Sequence, residues 1–461
     1  MSISRRDFLA SAPVPLAAIS AAAFIAPARA ADNPSAADKI RVGCIGVRGR
    51  GDGVMRVFAA QKDVVITHLC DIDNNVLESR ANALEKQTGH KPRTTTDHEA
   101  LLKDKEVDAV MIATPEHWHA IHAIRAAQEG KDVYVEKPDG HNIFEGGQMV
   151  AAARKHNRMM QLGTQARSAP YLKEAAKFVQ AGGIGKVLFG KAWESARQGA
   201  IPRVPDEDPP PGVDYDRWLG PAPLRKFNRY RFHGNWRWFF DYGTGDLGND
   251  GVHRMDYCRA LMNIDQMPTR TVATGGKMFF DDAQDWPDTQ LISYEFGGDA
   301  GSAVDAPAAG RVAPATFAGG GRGHAPKFVI NYEMRLWTKP RLHGHTEAGA
   351  VYGENGTVIV YNGGAKAYDA GDNVIKEWGG GDATGEHVRN FLDCCRSRQW
   401  QDLNQDIASG HISSVMCHAG NIAWRTGLAL HFDAKTETFA EAEANKYVKR
   451  EYRKGYELPA V

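Results

Sequence analysis

The chain predicts two domains: an α/β domain built on a doubly wound parallel sheet, then an α+β domain containing an antiparallel sheet. Three observations predict this. Short β-branched runs alternate with helical stretches over residues 39–162. A glycine-rich turn over residues 43–51 closes the first of these runs and opens a helix. Beyond about residue 165, strand-like alternation returns without helices between the strands.

Taken in order, residues 40–45 read as the first strand, 54–60 as part of a helix, 64–70 as the second strand and 74–88 as a helix. Residues 107–113 read as the third strand, 120–128 as a helix, 133–135 as the fourth strand, 144–156 as a helix and 159–162 as a further strand. Short apolar runs of this kind suit strands buried on both faces. Residues 39–162 are therefore expected to form the α/β domain, 163–435 the α+β domain and 436–461 a C-terminal tail. In the second domain Pro209, Pro210 and Pro211 mark a loop, and strands are expected at 270–274, 290–296, 328–336 and 358–361. Residues 297–326, rich in Gly, Ala and Pro, read as a flexible insertion, and 385–430 as helical.

A chain of 461 residues, 43% of them hydrophobic, is long enough for two cores. Lys+Arg and Asp+Glu both number 56, so the net charge is zero and no nucleic-acid partner is indicated. The N-terminal Ser4-Arg5-Arg6-Asp7-Phe8-Leu9, an apolar stretch over 8–27 and Ala28-Arg29-Ala30 follow the order of a twin-arginine export signal with its cleavage site. The expectation is a signal over 1–30, a polar linker over 31–38 and a periplasmic or secreted protein free of the membrane after cleavage. The six cysteines, Cys44, Cys70, Cys258, Cys394, Cys395 and Cys417, match no zinc spacing. Cys44 and Cys70 fall in buried strands as small core residues.

The chemistry concentrates in four segments. In Gly46-Val47-Arg48-Gly49-Arg50-Gly51 a tight turn brings backbone N–H groups to a pyrophosphate at a helix N-terminus. Arg48 stands where the dinucleotide fingerprint has its middle glycine. Gly49 can supply the close approach instead, and Arg48 or Arg50 can contact phosphate. Asp71, directly after the second strand, is placed to accept hydrogen bonds from ribose hydroxyls and to repel a 2′-phosphate, which favours NAD, with NADP as the alternative. Asp73 reads as the helix cap. Thr114 and Pro115 fall on the nicotinamide side. His117 and His119 alternate without a third ligand nearby, so no metal is expected.

The segment Glu136-Lys137-Pro138 puts a cation at the carboxyl edge of the sheet, where ligands bind. A lysine there can hold a sugar hydroxyl and stabilise its oxyanion during oxidation. In the segment 245–256, His253 is the candidate general base or acid. Asn249 precedes it by one turn, and Asp256 lies one turn beyond, placed to orient the imidazole. The run from Trp236 to Phe240 reads equally as a stacking wall for a sugar ring and as core packing. Tyr242 and Arg167 are further substrate-contact candidates.

Together these residues resemble the glucose–fructose oxidoreductase / inositol dehydrogenase (Gfo/Idh/MocA) family over nearly the whole mature chain. The glycine turn, the Ala113-Thr114-Pro115 turn with its histidines, Glu136-Lys137-Pro138 and the Gly251-to-Asp256 segment occur in the family's order and spacing. Exported bacterial members share the twin-arginine signal, the Gly163-Thr164-Gln165 turn and a Gly-Asn-Ile-Ala helix, here 420–423. The resemblance implies a Rossmann domain followed by an α+β domain with an open, mostly antiparallel sheet, an NAD(P) cofactor and a sugar, polyol or sugar-derivative substrate. It implies that Lys137 contacts the reacting hydroxyl and His253 accepts its proton, and it adds His119, Glu136, Lys137 and Gln165 to the cofactor set. Many dehydrogenases of the family carry aspartate four residues before the histidine. Here Asn249 holds that place and the acid follows at Asp250, so both are catalytic candidates.

Export implies a tightly held cofactor, regenerated within each cycle. A second substrate can return the hydride. Alternatively, as in NAD-dependent glycosidases related to the family, transient oxidation permits elimination of a glycosidic group. A non-catalytic sugar-binding protein is the reading from another class, and the presence of Lys137 and His253 argues against it. The resemblance also implies a homo-oligomer.

Overall fold

The computed structural model describes residues 38–297 and 328–461. The expected export signal, all but the last residue of the linker and nearly all of the Gly/Ala/Pro-rich insertion lie outside the described residues.

The first domain runs β1 (Ile40–Ile45), α1 (Arg50–Ala59), β2 (Val64–Cys70), α2 (Asn74–Thr88), β3 (Arg93–Thr95), α3 (His98–Lys103), β4 (Ala109–Ile112), α4 (Glu116–Gln128), β5 (Asp132–Val135), α5 (Ile143–Lys155) and β6 (Met160–Leu162). Its six strands are ordered β3-β2-β1-β4-β5-β6 and pair in parallel throughout. The central strands β4 and β5 are buried at every position, as helices on both faces require. Strand order reverses between β1 and β4, so the carboxyl ends of these two strands open a crevice. Capping follows the side chains: Asp73 accepts from Asn75 N at 3.0 Å to start α2, and Gly89 ends it in the left-handed conformation.

The parallel doubly wound sheet agrees with the sequence expectation. Two elements were not anticipated, β3 and α3. The three residues of β3 are polar and largely exposed, so no apolar period marks them. Helix α4 starts at Glu116, four residues before the expected position, because the fixed φ of Pro115 leads directly into a helical turn.

The second domain adds α6 (Pro170–Gln180), β7 (Val187–Glu194), α7 (Tyr215–Leu219), α8 (Val252–Met262), β8 (Arg270–Gly276), β9 (Thr289–Phe296), β10 (Phe328–Arg335), β11 (Glu347–Gly353), β12 (Gly356–Tyr361), β13 (Gly364–Asp369) and β14 (Val374–Gly379). After these come α9 (Thr384–Ser397), α10 (Ile407–Thr426), β15 (Leu430–Asp433) and β16 (Thr438–Phe439). Ten strands form one sheet in the order β14-β13-β12-β11-β7-β10-β9-β8-β15-β16. Only the β7–β10 pairing is parallel. Alternation sets its two faces: Gln290, Ile292, Tyr294 and Phe296 are buried, whereas Leu291 on the other face is 46% exposed.

The helices at the end of the chain return to the first domain. Phe391 of α9 packs edge-on against Phe58 and Tyr134, with ring centroids 6.1 and 6.0 Å away. Gln161 Nε2 donates to the His387 carbonyl at 2.9 Å. Val388, Phe391 and Leu392 join one core with Val42, Met55 and Phe58.

Candidate functional site

The crevice at the switch point is a cavity of about 570 Å³. Gly46 has φ +79°, and a Cβ on it would lie 2.8 Å from the Ala113 carbonyl. A Cβ on Gly51 would lie 2.0 Å from the Gly46 oxygen, so only glycine lets α1 pack this close to the turn. These are the demands on the first and third glycines of a dinucleotide fingerprint. Gly49 also has positive φ, with open space around it. Arg48, in the middle position, lines the crevice with an exposed side chain and makes no ion pair among the described residues. The turn, the helix N-terminus and the cavity above them fit a dinucleotide.

Asp71 ties the turn to β2. Its Oδ2 accepts from Val47 N at 3.0 Å and its Oδ1 from Asp73 N at 3.2 Å. Burial raises its pKa and the two backbone N–H groups oppose the rise. Each oxygen keeps a lone pair for a ribose hydroxyl, and the residue lines the crevice. Thr114 and Pro115 line it as well, and Trp236 forms part of its wall.

Other expected contacts are spent elsewhere. Arg50 lines the crevice, yet its Nε donates to Glu136 Oε1 at 2.9 Å. Glu136 is therefore neutralised inside the protein rather than offered to a cofactor. His119 requires a correction: it is buried, with Nδ1 2.7 Å from the Pro138 carbonyl and Nε2 2.9 Å from the Thr114 carbonyl. It ties the ends of β4 and β5 together. Gln165 lies in a 3₁₀ turn outside the crevice wall, and its Oε1 is buried without a partner. Sequence reasoning missed Thr96, His98, Trp118 and His122, all of which line the crevice, whereas Arg237, also in its wall, belongs to the run from Trp236 to Phe240. Trp118 and His122 stack at 4.6 Å on one face of α4. Their i, i+4 spacing was the available signal, once α4 is known to begin at Glu116.

A second cluster forms around Lys137, where β5 ends. Lys137 Nζ donates to the Asn249 carbonyl at 2.5 Å and to Asn249 Oδ1 at 3.1 Å. Asn249 Nδ2 in turn donates to Asp250 Oδ2 at 2.7 Å. Residues Leu247–Gly251 form a π-helical turn that leads into α8. Gly248 lets that turn sit against the β5 end: a Cβ there would lie 1.8 Å from Thr244 Oγ1 and 3.6 Å from Pro138. Burial lowers the Lys137 pKa, while Asp250 and Glu136 hold it up.

The His253 ring makes no hydrogen bond among the described residues. Burial, then the charges of Lys137 and Arg254, push its pKa well below 6.5, so the imidazole is neutral and free to accept a proton. Asp256 does not orient it, a second correction. Burial pushes the Asp256 carboxyl up, but Arg167 and Arg259 outweigh this and bring it down to about 2. Arg167 grips the buried Asp256 through two bonds of 2.7 and 2.8 Å, so this half-buried guanidinium is spent on an ion pair rather than free for a substrate. Tyr242 is also corrected: fully buried, it packs on Trp218 at 4.8 Å.

Arg237 links the two clusters. It lines the crevice, and its charge acts on both Lys137 and Glu116. Glu116 is 1% exposed and accepts the Thr244 hydroxyl at 2.6 Å. Burial raises its pKa to about 7, against the pull of Thr244 and Lys137. The folded protein thus keeps a proton, between the ordinary 4.5 and about 7, that the unfolded chain releases. Stability from this group falls as pH rises through that window. Glu116→Gln, which still accepts from Thr244, is expected to gain up to roughly 3 kcal/mol relative to the parent between about pH 5 and about pH 8. Denaturant titrations at the two pH values read this, and a pH-independent difference would contradict it.

Residues 40–164 match the model of the Gfo/Idh/MocA oxidoreductase family's NAD-binding Rossmann fold. Residues 184–305 and 346–458 match the model of the family's C-terminal alpha/beta domain. The chain belongs to the Gfo/Idh/MocA oxidoreductases: it is an enzyme of that family with an NAD-binding Rossmann domain. Among curated relatives, a glycosyl hydrolase family 109 protein of Shewanella pealeana is 30% identical over 209 residues, which is 42% of this chain and 46% of the relative. Another of the same description, from Saccharopolyspora erythraea, is 33% identical over 158 residues, 33% of this chain and 34% of the relative. The chain thus spans less than half the length of the curated relatives it matches.

Solved structures share the fold at low identity. A putative NADPH-dependent oxidoreductase of Desulfitobacterium hafniense superposes with TM-score 0.63 at 14% identity, over 87% of this chain and 100% of that one. An aldose–aldose oxidoreductase of Caulobacter crescentus, complexed with glycerol, gives 0.61 at 16% identity, over 86% and 100%. The WlbA dehydrogenase of Bordetella pertussis, in complex with NADH and UDP-GlcNAcA, gives 0.59 at 17% identity, over 86% and 99%.

Proposed function

We propose that this protein oxidises a hydroxyl group of a sugar, polyol or sugar derivative, using NAD held in the β1–β4 crevice. The observation that carries the reading is Lys137, fixed by Asn249 and Asp250 at the carboxyl edge of the sheet, with a neutral, unpartnered His253 on the helix that follows. The nicotinamide supplies a hydride acceptor when bound. The Lys137 ammonium can donate to the substrate oxygen and stabilise the negative charge that builds on it. His253 can take the hydroxyl proton. Asn249 is a neutral amide and cannot act as a base, so its part is to position Lys137. Trp236, on the crevice wall, offers an apolar face to a sugar ring. The UDP-GlcNAcA bound to the Bordetella protein and the aldose–aldose oxidoreductase description of the Caulobacter protein support a carbohydrate substrate.

A second reading is cleavage of a glycosidic bond without net redox change. It is favoured by the glycosyl hydrolase description of the curated relatives. The twin-arginine pattern supports export to the periplasm, and with it a cofactor that stays bound through the cycle. A homo-oligomer is the assembly that the family membership supports.

The test is to purify the mature protein, denature it and assay the released nucleotide, then to incubate the native protein with sugars and glycosides. The expected result is close to one NAD, and little NADP, per chain, with an oxidised sugar as product. A cleaved glycoside with no oxidised product would transfer the reading to the glycosidase. A protein that carries no nucleotide and binds none on addition would overturn both.

A further inference from the structure

A second cavity, of about 620 Å³, lies between the start of α5, the end of α10 and residues 446–451. It shares no lining residue with the nucleotide crevice. Its wall holds two buried polar side chains with an atom left over. Asn142, 5% exposed, uses its Oδ1 to cap α5 by accepting from Glu145 N at 3.1 Å, and its amide nitrogen has no partner. His418, 4% exposed, has an unpartnered Nε2. Buried polar atoms left without partners are uncommon in folded proteins and ask for a ligand or water.

The charges of the same wall are unbalanced. Arg425 lies between the rings of Phe240 and Tyr447, 4.2 and 4.3 Å from their centroids. Its guanidinium makes no hydrogen bond or ion pair among the described residues. Lys449 sits over Phe144 at 4.3 Å and likewise has no acid partner among them. Arg450 donates from Nε to Glu145 and from Nη2 to the His117 carbonyl, which leaves its buried Nη1 unpartnered. Of the acids in the wall, Asp241 is taken by Arg225 and Glu451 is exposed. Donors and cations therefore converge on a space large enough for a sugar-sized molecule.

We propose that this cavity binds an oxyanion, a carboxylate or a phosphate, carried on a sugar-sized molecule. Arg425, Lys449 and Arg450 Nη1 would hold the anion, as charge-assisted donors do. The Asn142 amide would donate to it or to a neighbouring hydroxyl. Burial brings the His418 pKa down to about 4, so its imidazole is neutral at physiological pH and suited to a hydroxyl. The floor connects to the other site. Trp286 Nε1 donates to the Gly243 carbonyl at 2.9 Å and Asn421 Nδ2 to the Thr244 carbonyl at 2.7 Å. That strand of backbone runs on to Asn249.

The test is calorimetric titration of the full folded protein at low ionic strength with inorganic phosphate, glucose 6-phosphate and glucuronate, with glucose as the uncharged control. Heat of binding is read without turnover, so the result is independent of the reaction assigned above. The expected result is saturable binding of at least one anion, no matching binding of glucose, and weakening by about tenfold or more in both Arg425→Met and Lys449→Met. Preference for the phosphates or for glucuronate identifies which oxyanion the cavity takes. Both substituted side chains are exposed, and their thermal unfolding serves as the control. The proposal is overturned if no anion binds saturably, or if binding is unchanged in both variants.

Discussion

Replacing Lys137 with methionine is expected to lower kcat/KM by about 10²- to 10³-fold, with nucleotide content unchanged. Methionine keeps the length and apolar stem of the side chain and removes only the charged donor. The ammonium is held on Asn249 from two sides, by backbone and by amide, so it is positioned before substrate arrives. A donor that needs no reorganisation stabilises the developing oxyanion more than the resting hydroxyl, and the loss should appear in kcat rather than in KM alone. Steady-state kinetics with the nucleotide assay as control reads this. A variant with parental kcat/KM would remove Lys137 from the reaction.

The second large effect concerns His253. His253→Ala is expected to lower kcat/KM by about 10²- to 10⁴-fold through loss of the proton acceptor. The pH profile carries a sharper statement. A histidine base must be neutral, and burial together with Lys137 and Arg254 keeps His253 neutral to well below its ordinary 6.5. The acid limb of kcat/KM in the parent should therefore fall at a pH well under that value. Removing the Lys137 charge withdraws one of the groups that depress the imidazole, so the limb should move to higher pH in Lys137→Met. A limb that stays in place would mean that another group carries the proton.

The sequence reads the first domain well because its strands are apolar, short and separated by helices of ordinary length. The runs at Ile40–Ile45 and Val64–Cys70 needed no tertiary information. Strand β3 escaped because three exposed polar residues carry no period. The glycine turn was legible for a local reason: the φ of Gly46 and the crowding at Gly51 are set by neighbours within a few residues and by the next strand. The sequence put Lys137 just after a strand and His253 on a helix, and β5 and α8 place them so.

The misplaced residues share a different cause. Arg167 and Asp256 are 89 positions apart, and nothing in either neighbourhood says that they meet. His119 was assigned to the cofactor through the family resemblance, whereas its ring is held by the Thr114 carbonyl and by the Pro138 carbonyl just after the next strand. Tyr242 reads as a sugar-contacting aromatic until Trp218 covers it. Long-range pairing decides whether a polar side chain is spent on the protein or left for a ligand, and one sequence does not reveal that pairing.

The packing of Phe391 against Phe58 and Tyr134 has a consequence for synthesis on the ribosome. The chain is made from its N-terminus, so the sheet begun at Ile40 emerges well before the helix that covers it at Thr384–Ser397. Until then Phe58 and Tyr134 lack one of their aromatic neighbours, and the finished sheet must remain uncovered there while the roughly 220 residues between Leu162 and Thr384 are added. A fragment ending after β6 should consequently be sticky and poorly soluble, although it contains every strand and glycine of the nucleotide fold.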